Sequence, residues 1–520
     1  MRNMARTDGP DGTVSRRGLI KGAAAMGALG LMGSGLLSGC SPQAQSDKAA
    51  QTGSGIPDSW DEETDVVVVG AGGAGSMAAL EVDKAGSSVI LLEANSVAGG
   101  ATSICGQAIC AAGTKLQATL GVDDDADAFY AYLCEAGDGI VDFWRLYADN
   151  AAEIVDWLAS IGVSFPEQLE VTPGLSLGGQ EFLAPNQPVV PRVHWSDTEA
   201  GGIWTHLWKQ VEASGVDVRM KTQATKLIFD PDTREVFGVV AGGKTIKARK
   251  GVVLAGGGIG ANRELMRMYI QENKVLSQGT QFADGMTLNM AIDAGAASYG
   301  WEMAYAPGYL MGDYEEGRGQ TAHAFVQMMH NSAPHPDVPY VLVDIYGKRR
   351  INETGIIGVG EQLGLAPEGK MFHITDEVGG GDLGWGMPGE VAYEQADTLE
   401  ELAEKLGIDP EGLVATVNAW NEGAARGEDP EFGRTNVFAF EGGPYVGLGM
   451  YQTVTDTMGG AHVDTGMHVL KALDSQPIPR LYRGGPVGFR GYPLCGAAVG
   501  MALLSGKIAG QNVVNEEPWS

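Results

Sequence analysis

Three glycines spaced as Gly70-x-Gly72-x-x-Gly75 and an acid at Glu93 are the residues of this chain with the plainest chemistry. Glycines at that spacing do not react; they bring backbone N–H groups against an anion. Gly70 permits a tight turn, Gly72 lets the main chain approach a pyrophosphate, and Gly75 lets the following helix pack closely on the preceding strand. A carboxylate some twenty residues on suits ribose hydroxyls, so Glu93 is the expected ribose ligand. The elements needed to position them are present: strand formers from Asp65 to Val69, an amphipathic stretch, and a second strand from Ser88 to Leu92 that ends at Glu93. A chance glycine loop would not keep strand, triplet, helix, strand and acid in register. The chain therefore binds a dinucleotide through a βαβ unit, with Ala71 and Gly73 in its turn and Ala94 beside the acid.

The segment after Glu93 selects the dinucleotide. Ala98-Gly99-Gly100-Ala101-Thr102-Ser103 continues through Gly106 into a glycine- and alanine-rich run to Gly113, where a second phosphate and ribityl contact is expected, pointing to FAD rather than NAD. Here the sequence resembles the FAD-binding 2 family, which takes in fumarate and urocanate reductases, 3-ketosteroid dehydrogenases and cardiac glycoside reductases. The resemblance covers most of residues 65 to 515. It includes Val253 to Gly258, Ala283-Asp284-Gly285, Gly347 to Glu353, Thr457-Met458-Gly459-Gly460 and the closing Gly496 to Gly510 helix. It implies further FAD contacts at Ala224, Gly256, Asp284 and Gly485. It also implies that Ala497, Ala498 and Val499 begin a helix whose positive end faces the flavin pyrimidine ring. Members that attach FAD covalently carry a histidine near the double glycine; none lies between Glu93 and Gly113, so non-covalent FAD is expected. Relatives also carry Gly-Glu where this chain has Gly484-Gly485-Pro486, which removes an acid from the ribityl chain.

The resemblance also bears on substrate. Fumarate reductases clamp two carboxylates and protonate from an arginine. Counting from Asn352-Glu353, that arginine position is Ile357; a second arginine has become Pro493, and the histidine of His-Thr-Met-Gly-Gly has become Asp456. Fumarate is thereby disfavoured. Tyr492-Pro493-Leu494-Cys495-Gly496 instead matches the Tyr-x-x-x-Gly element with which ketosteroid enzymes hold a ketone oxygen by the tyrosine hydroxyl and the glycine N–H. Two donors on a carbonyl oxygen stabilise an enolate. The alternative for Tyr492 is packing on the flavin, and the catalytic tyrosine of those dehydrogenases is absent, Ile357 standing in its place. Asp456 is a proton donor only if burial raises its pKa. Arg490 either pairs with an anionic substrate or with acids of the cap. His330, His335, Tyr340 and Tyr346 are further candidates, each open to a structural role. Arg349, Arg350 and Glu353 are expected at the junction between cap and flavin domain.

Ser15-Arg16-Arg17-Gly18-Leu19-Ile20-Lys21 resembles a twin-arginine export motif, and an Ala/Gly/Leu/Met segment leads to Leu37-Ser38-Gly39-Cys40, a lipobox. The alternative is a transmembrane anchor over residues 22 to 39. The lipoprotein reading anchors the protein to the extracytoplasmic face of the cell membrane through Cys40, with a polar tether behind it. Folded export also suits a cofactor inserted beforehand.

Lys plus Arg number 35 against 65 Asp plus Glu, a net charge of −30 that repels nucleic acid. Such a surface serves either solubility or a basic electron-transfer partner. Five cysteines (Cys40, Cys105, Cys110, Cys134, Cys495) show neither iron–sulfur nor C-x-x-C-H haem spacing. They read as buried small hydrophobes, and no metal site is expected. Lacking a second redox centre, the chain calls for a separate electron donor, a membrane cytochrome or flavoprotein.

The fold class is α/β: a Rossmann-like, glutathione-reductase-like FAD-binding domain with an inserted α+β capping domain. The expected divisions are signal 1–40, tether 41–61, FAD-binding domain 62–300 and 455–520, and cap 301–454. Helical periodicity over Phe129 to Leu158 places Trp144 and Trp157 in the core, whereas Phe165 to His194 shows no periodicity and reads as a surface loop. The expected function is reduction of an activated C=C bond in an organic acceptor such as an enone or enoate. The alternatives are a ketosteroid-type desaturase and a flavin-retaining ligand-binding lipoprotein.

Overall fold

A computed structural model describes residues 55–519 except 138, 168, 170–183, 270–275, 278–279, 311–320, 324–338, 354–361, 377–392, 436 and 489–495. Residues Val66 to Val69 are buried on both faces, at 0 to 6 % exposure, which is how a central parallel strand must read. They belong to β1 (Glu62–Val69), which leads through Gly70 into α1 (Gly73–Lys84) and then β2 (Val89–Leu92). The strand order is Asp217–Arg219, β2, β1, Lys244–Leu254, Pro477–Arg483, His468–Leu470, parallel except for the last pair. Lys244–Leu254 begins antiparallel to Val236–Ala241 and ends parallel to β1, so one strand joins the hairpin to the parallel sheet.

α1 packs on the C-terminal helix Ala497–Val513 at a glycine contact. A Cβ at Gly506 would lie 2.1 Å from the Ala74 carbonyl oxygen, and one at Gly510 2.6 Å from that of Ala78. Gly506 and Gly510, like Ala74 and Ala78, are four residues apart and so share a helix face. The two backbones touch there because no side chain intervenes.

A second sheet is built on the antiparallel pair Ser298–Leu310 and Tyr445–Ala461, with Lys370–Asp376 and Tyr340–Val343 alongside. Both long strands run unbroken through the expected cap boundaries at 300 and 454. Helices Leu399–Leu406 and Pro410–Ala424 cover this sheet over Val341, Val343, Phe372, Ile374, Leu402, Leu413 and Trp420. The first is set by local signals: Thr398 Oγ1 accepts from Glu401 N–H (3.2 Å), two acids open it, Lys405 closes it, and Gly407 follows at φ +72°.

Three expectations need correction. The tether ends before residue 61, because Trp60 packs edge-on against Trp519 (6.0 Å) and Asp61 exchanges hydrogen bonds with Thr245. Val193–Trp195 is not loop but a strand paired antiparallel with Ala108–Cys110, too short to show periodicity. Arg349 and Glu353 lie inside the cap rather than at its junction: Arg349 makes paired hydrogen bonds to Glu353 (both 2.7 Å) and to Asp429 (both 2.8 Å). Arg350 likewise stays within the cap, bonded to Asp344 (2.7 Å). Burial alone would raise the Asp429 carboxyl, but the Arg349 guanidinium outweighs it and holds the carboxyl down at about 2.

Candidate flavin site

At the N-terminus of α1 two of the three glycines are demanded by the protein's own backbone. Gly70 sits at φ +105° with a Cβ position 2.4 Å from the Ala255 carbonyl oxygen, and a Cβ on Gly75 would lie 1.8 Å from the Gly70 carbonyl oxygen. Gly72 differs: its φ of −86° is ordinary, and a Cβ there would meet only the Gly99 carbonyl oxygen, at 3.7 Å. The fold would accept a side chain at Gly72, so the space in front of it is kept for something else. Gly257, at φ +80°, likewise opens on space with nothing within 4 Å. Gly72 supplies no side-chain cap to α1; the Gly73 N–H donates to Thr102 Oγ1 (3.2 Å).

These glycines face a cleft of about 1560 Å³, its open mouth included. Its walls contain Gly70, Gly72, Gly73, Glu93, Ala94, Gly100, Ala101, Thr102, Ala224, Gly256, Asp284, Gly485, Ala498 and Val499. Glu93, at 9 % exposure, accepts from the N–H groups of Ala71 (2.9 Å) and Asn95 (2.8 Å), which fixes its carboxylate at the end of β2. Ala71, Gly75, Gly99, Ser103, Gly106 and Ala497, also expected as contacts, support the wall rather than line it. Ala71 donates to Glu93, Gly75 seats α1, and Gly99 N–H bonds the Ala71 carbonyl oxygen (2.9 Å). Ser103 Oγ donates to the Gly100 carbonyl oxygen (2.9 Å), Gly106 packs against Trp195, and Ala497 is buried. Asp284 Oδ1 accepts from Met286 N–H (2.9 Å), turning the chain into the next helix. Gly485 N–H donates to Ser505 Oγ (2.8 Å), tying this turn to the C-terminal helix.

Of the residues expected to do chemistry, Gly496 lies at φ +85° immediately before the C-terminal helix, with Ile109 Cα 2.7 Å from its Cβ position. The close packing of this turn on Ala108–Cys110 is itself enough to require glycine. Asp456 pairs through its backbone with Ala304 in the second sheet. Tyr492, Pro493, Cys495, Arg490, Ile357, His330 and His335 lie outside the described residues, as do Arg16, Arg17 and Cys40. Tyr340 is buried, with the Arg434 guanidinium 3.8 Å from its ring centroid, and Tyr346 is exposed. Cys110 is buried and its thiol is pushed up to about 12 by burial, whereas Cys134 is exposed and Cys105 lines the cleft.

Sequence reasoning missed several cleft residues. Thr457 Oγ1 accepts from Ile259 N–H (2.9 Å), joining the second sheet to the loop after Lys244–Leu254. Gln223, Thr280 and Thr287 add polar atoms, and Arg483 adds a cation. Thr457 lay within a quoted motif, but nothing local marks the partner it reaches across the chain.

The bare Cα atoms at Gly72 and Gly257, the fixed Glu93 carboxylate and two helix N-termini on one cleft fit FAD. Gly70, Gly72, Gly73 and Thr102 would hold its pyrophosphate, Glu93 its ribose, and Ala498 and Val499 its ring end. Fold and site define an FAD-dependent oxidoreductase. The FAD binding domain family (FAD-binding 2) matches residues 65–499, and the chain belongs to it. It is 27 % identical to digoxin reductase of Eggerthella lenta over 97 % of this chain and 98 % of that one. Among solved structures, the open conformation of a flavocytochrome c3 fumarate reductase matches at TM-score 0.71 and 28 % identity, covering 87 % of this chain and 78 % of that one. A 3-ketosteroid-Δ4-(5α)-dehydrogenase from Rhodococcus jostii, in complex with 4-androstene-3,17-dione, matches at TM-score 0.66 and 26 % identity over 88 % and 98 %.

Proposed function

We propose that the protein reduces an activated C=C bond in an enone or enoate acceptor, as an exported, lipid-anchored enzyme fed by a separate membrane cytochrome or flavoprotein. Similarity to digoxin reductase along nearly the whole of both chains carries this reading. The replacement of the family's dicarboxylate-binding positions by Ile357, Pro493 and Asp456 supports it by disfavouring fumarate. Bound non-covalently and reduced by the separate donor, FAD would supply the hydride for the β-carbon of the acceptor. The chain's own part is to polarise the acceptor: Tyr492 hydroxyl and Gly496 N–H donate to the carbonyl oxygen, so charge developing on it is met by two donors. Asp456 is the candidate source of the proton for the α-carbon. The address rests on Arg16-Arg17 and the Leu37 to Cys40 lipobox, and the division of the chain follows the ranges given above, with the tether shortened to end before Trp60.

A second reading, desaturation of a ketosteroid-type substrate, is favoured by the match to the Rhodococcus jostii dehydrogenase and by the Tyr492-x-x-x-Gly496 element. Anaerobic assays with reduced viologen against enones, enoates and fumarate separate the readings. Oxidation of viologen by enones or enoates, with little by fumarate, is expected. Desaturation of a saturated ketone with an artificial acceptor, and no reductive turnover, would establish the reverse reaction. Efficient fumarate turnover would show that the three positions have been misaligned.

A further inference from the structure

Arg483 ends the strand Pro477–Arg483 and reaches the cleft wall. Its guanidinium donates to the carbonyl oxygens of Ala461 (3.0 Å) and Gly459, both on the strand Tyr445–Ala461. Among the described residues it has no carboxylate partner. The buried arginines do: Arg192 meets Asp124 at 2.7 Å, Arg349 meets Glu353 at 2.7 Å, and Arg434 meets Glu353 at 3.7 Å. Burial lowers the Arg483 pKa to about 10, which still leaves a full positive charge at neutral pH. Arg483 is half-buried at the cleft wall, and even a partly desolvated cation without a counter-charge carries a cost that a resident anion in the cleft would offset.

Strand order indicates which part of FAD lies beside it. Glu93 follows β2, the pyrophosphate turn follows β1, Ala255 to Gly258 follow Lys244–Leu254, and Arg483 closes the next strand. Parallel neighbours are about 4.8 Å apart, so Arg483 stands about 14 Å from the ribose acid and about 10 Å from the pyrophosphate turn. An FAD extended across these strand ends brings its ring to Arg483 and to Ala498 and Val499. Gly459 and Gly460 make the reach possible, because a Cβ on Gly460 would fall 2.6 Å from the guanidinium.

We propose that Arg483 is the fixed positive charge of the flavin pocket, favouring the ring in the form that carries a negative charge after taking up two electrons and one proton. This rests on FAD binding and is independent of the substrate reading.

The test compares holoenzyme midpoint potentials, by equilibration with reference dyes at pH 7, in wild type, Arg483→Lys and Arg483→Gln. Glutamine keeps a donor for Gly459 and removes the charge. It is expected to lower the reduced-to-oxidised ratio at a given potential at least tenfold, about 30 mV for a two-electron couple, while lysine retains most of the wild-type value. An unchanged potential in Arg483→Gln overturns the proposal, as does an equal fall in both variants, which would assign the residue to holding the Gly459–Ala461 strand. An unchanged potential with a raised KM for an anionic acceptor overturns it in favour of substrate binding. If the glutamine protein does not retain FAD, wild type decides: its potential must exceed that of free FAD at the same pH, and a value at or below it refutes the assignment. Failure of enones as substrates would leave these potentials unaffected.

Discussion

Gly72 and Gly75 sit three residues apart in one motif, yet the structure assigns them different burdens, and alanine at each should separate them. At Gly72 the new methyl meets the Gly99 carbonyl oxygen at 3.7 Å, an ordinary contact, and φ −86°, ψ −169° suits alanine. Alanine caps a helix worse than glycine by roughly 0.5–1 kcal/mol, while replacing glycine regains about 0.4–1 kcal/mol through the unfolded chain. The two offset, so the urea midpoint of FAD-stripped Gly72→Ala should stay near wild type. The methyl nevertheless projects where the pyrophosphate must pass. Forcing one carbon into a packed contact costs about 1–3 kcal/mol, or about 5- to 150-fold in Kd. Gly75→Ala places the same methyl 1.8 Å from the Gly70 carbonyl oxygen, so the turn itself must shift and the urea midpoint falls along with FAD binding. Fluorescence titration of FAD and urea unfolding on both stripped proteins measure the two quantities. Gly72→Ala binding FAD within twofold of wild type, or Gly75→Ala as stable as wild type, would refute the assignment of the motif.

Acid or heat should release FAD from the wild-type protein into the supernatant; yellow colour that stays with the precipitated polypeptide would establish a covalent link. Replacing Arg16 and Arg17 by lysine should strand the protein in the cytoplasm, while Cys40→Ala should abolish lipidation alone, both read by fractionation and mass spectrometry. Tyr492→Phe should slow single-turnover oxidation of the reduced flavin by about 10² to 10³, the worth of one oxyanion donor, with FAD affinity little changed. Asp429 is held at about 2, below its ordinary 3.8. Its contribution to stability is therefore full above about pH 4 and is lost as the pH falls toward 2. Asp429→Asn should lower Tm at pH 7 and flatten the acid limb of a plot of Tm against pH; an unaltered limb would show that the Arg349 network does not govern it.

Features written in short stretches of sequence were legible, and features made by distant segments were not. The βαβ unit could be read because its strands, its glycines and Glu93 occupy one window of some thirty residues. The same holds for the helix after Thr398, whose cap and charges are local. The Thr457 to Ile259 bond spans 198 residues and leaves no mark on either neighbourhood. Gly506 and Gly510 resemble ordinary helix-weakening residues until Ala74 and Ala78 are seen against them. Arg349 looked like a junction residue because its motif is shared with relatives, whereas its second acid, Asp429, lies 80 residues away. Arg483 was hidden for the opposite reason: an arginine at the end of a strand is unremarkable until no carboxylate among the described residues is found to pair with it.

The cleft is completed by the strand Pro477–Arg483 and the helix Ala497–Val513, and Arg483 is made 390 residues after Glu93. At about 5–20 residues per second of synthesis, that gap lasts about 20 to 80 seconds. Throughout it the ribose end of the site exists while the ring end does not. A nascent chain can at best hold FAD by its adenosine half, and firm retention begins only when the last helix has locked Gly506 and Gly510 onto α1. Cofactor capture thereby reports that synthesis has passed the final helix. For a chain exported in the folded state, as proposed here, bound FAD would mark a molecule ready to leave.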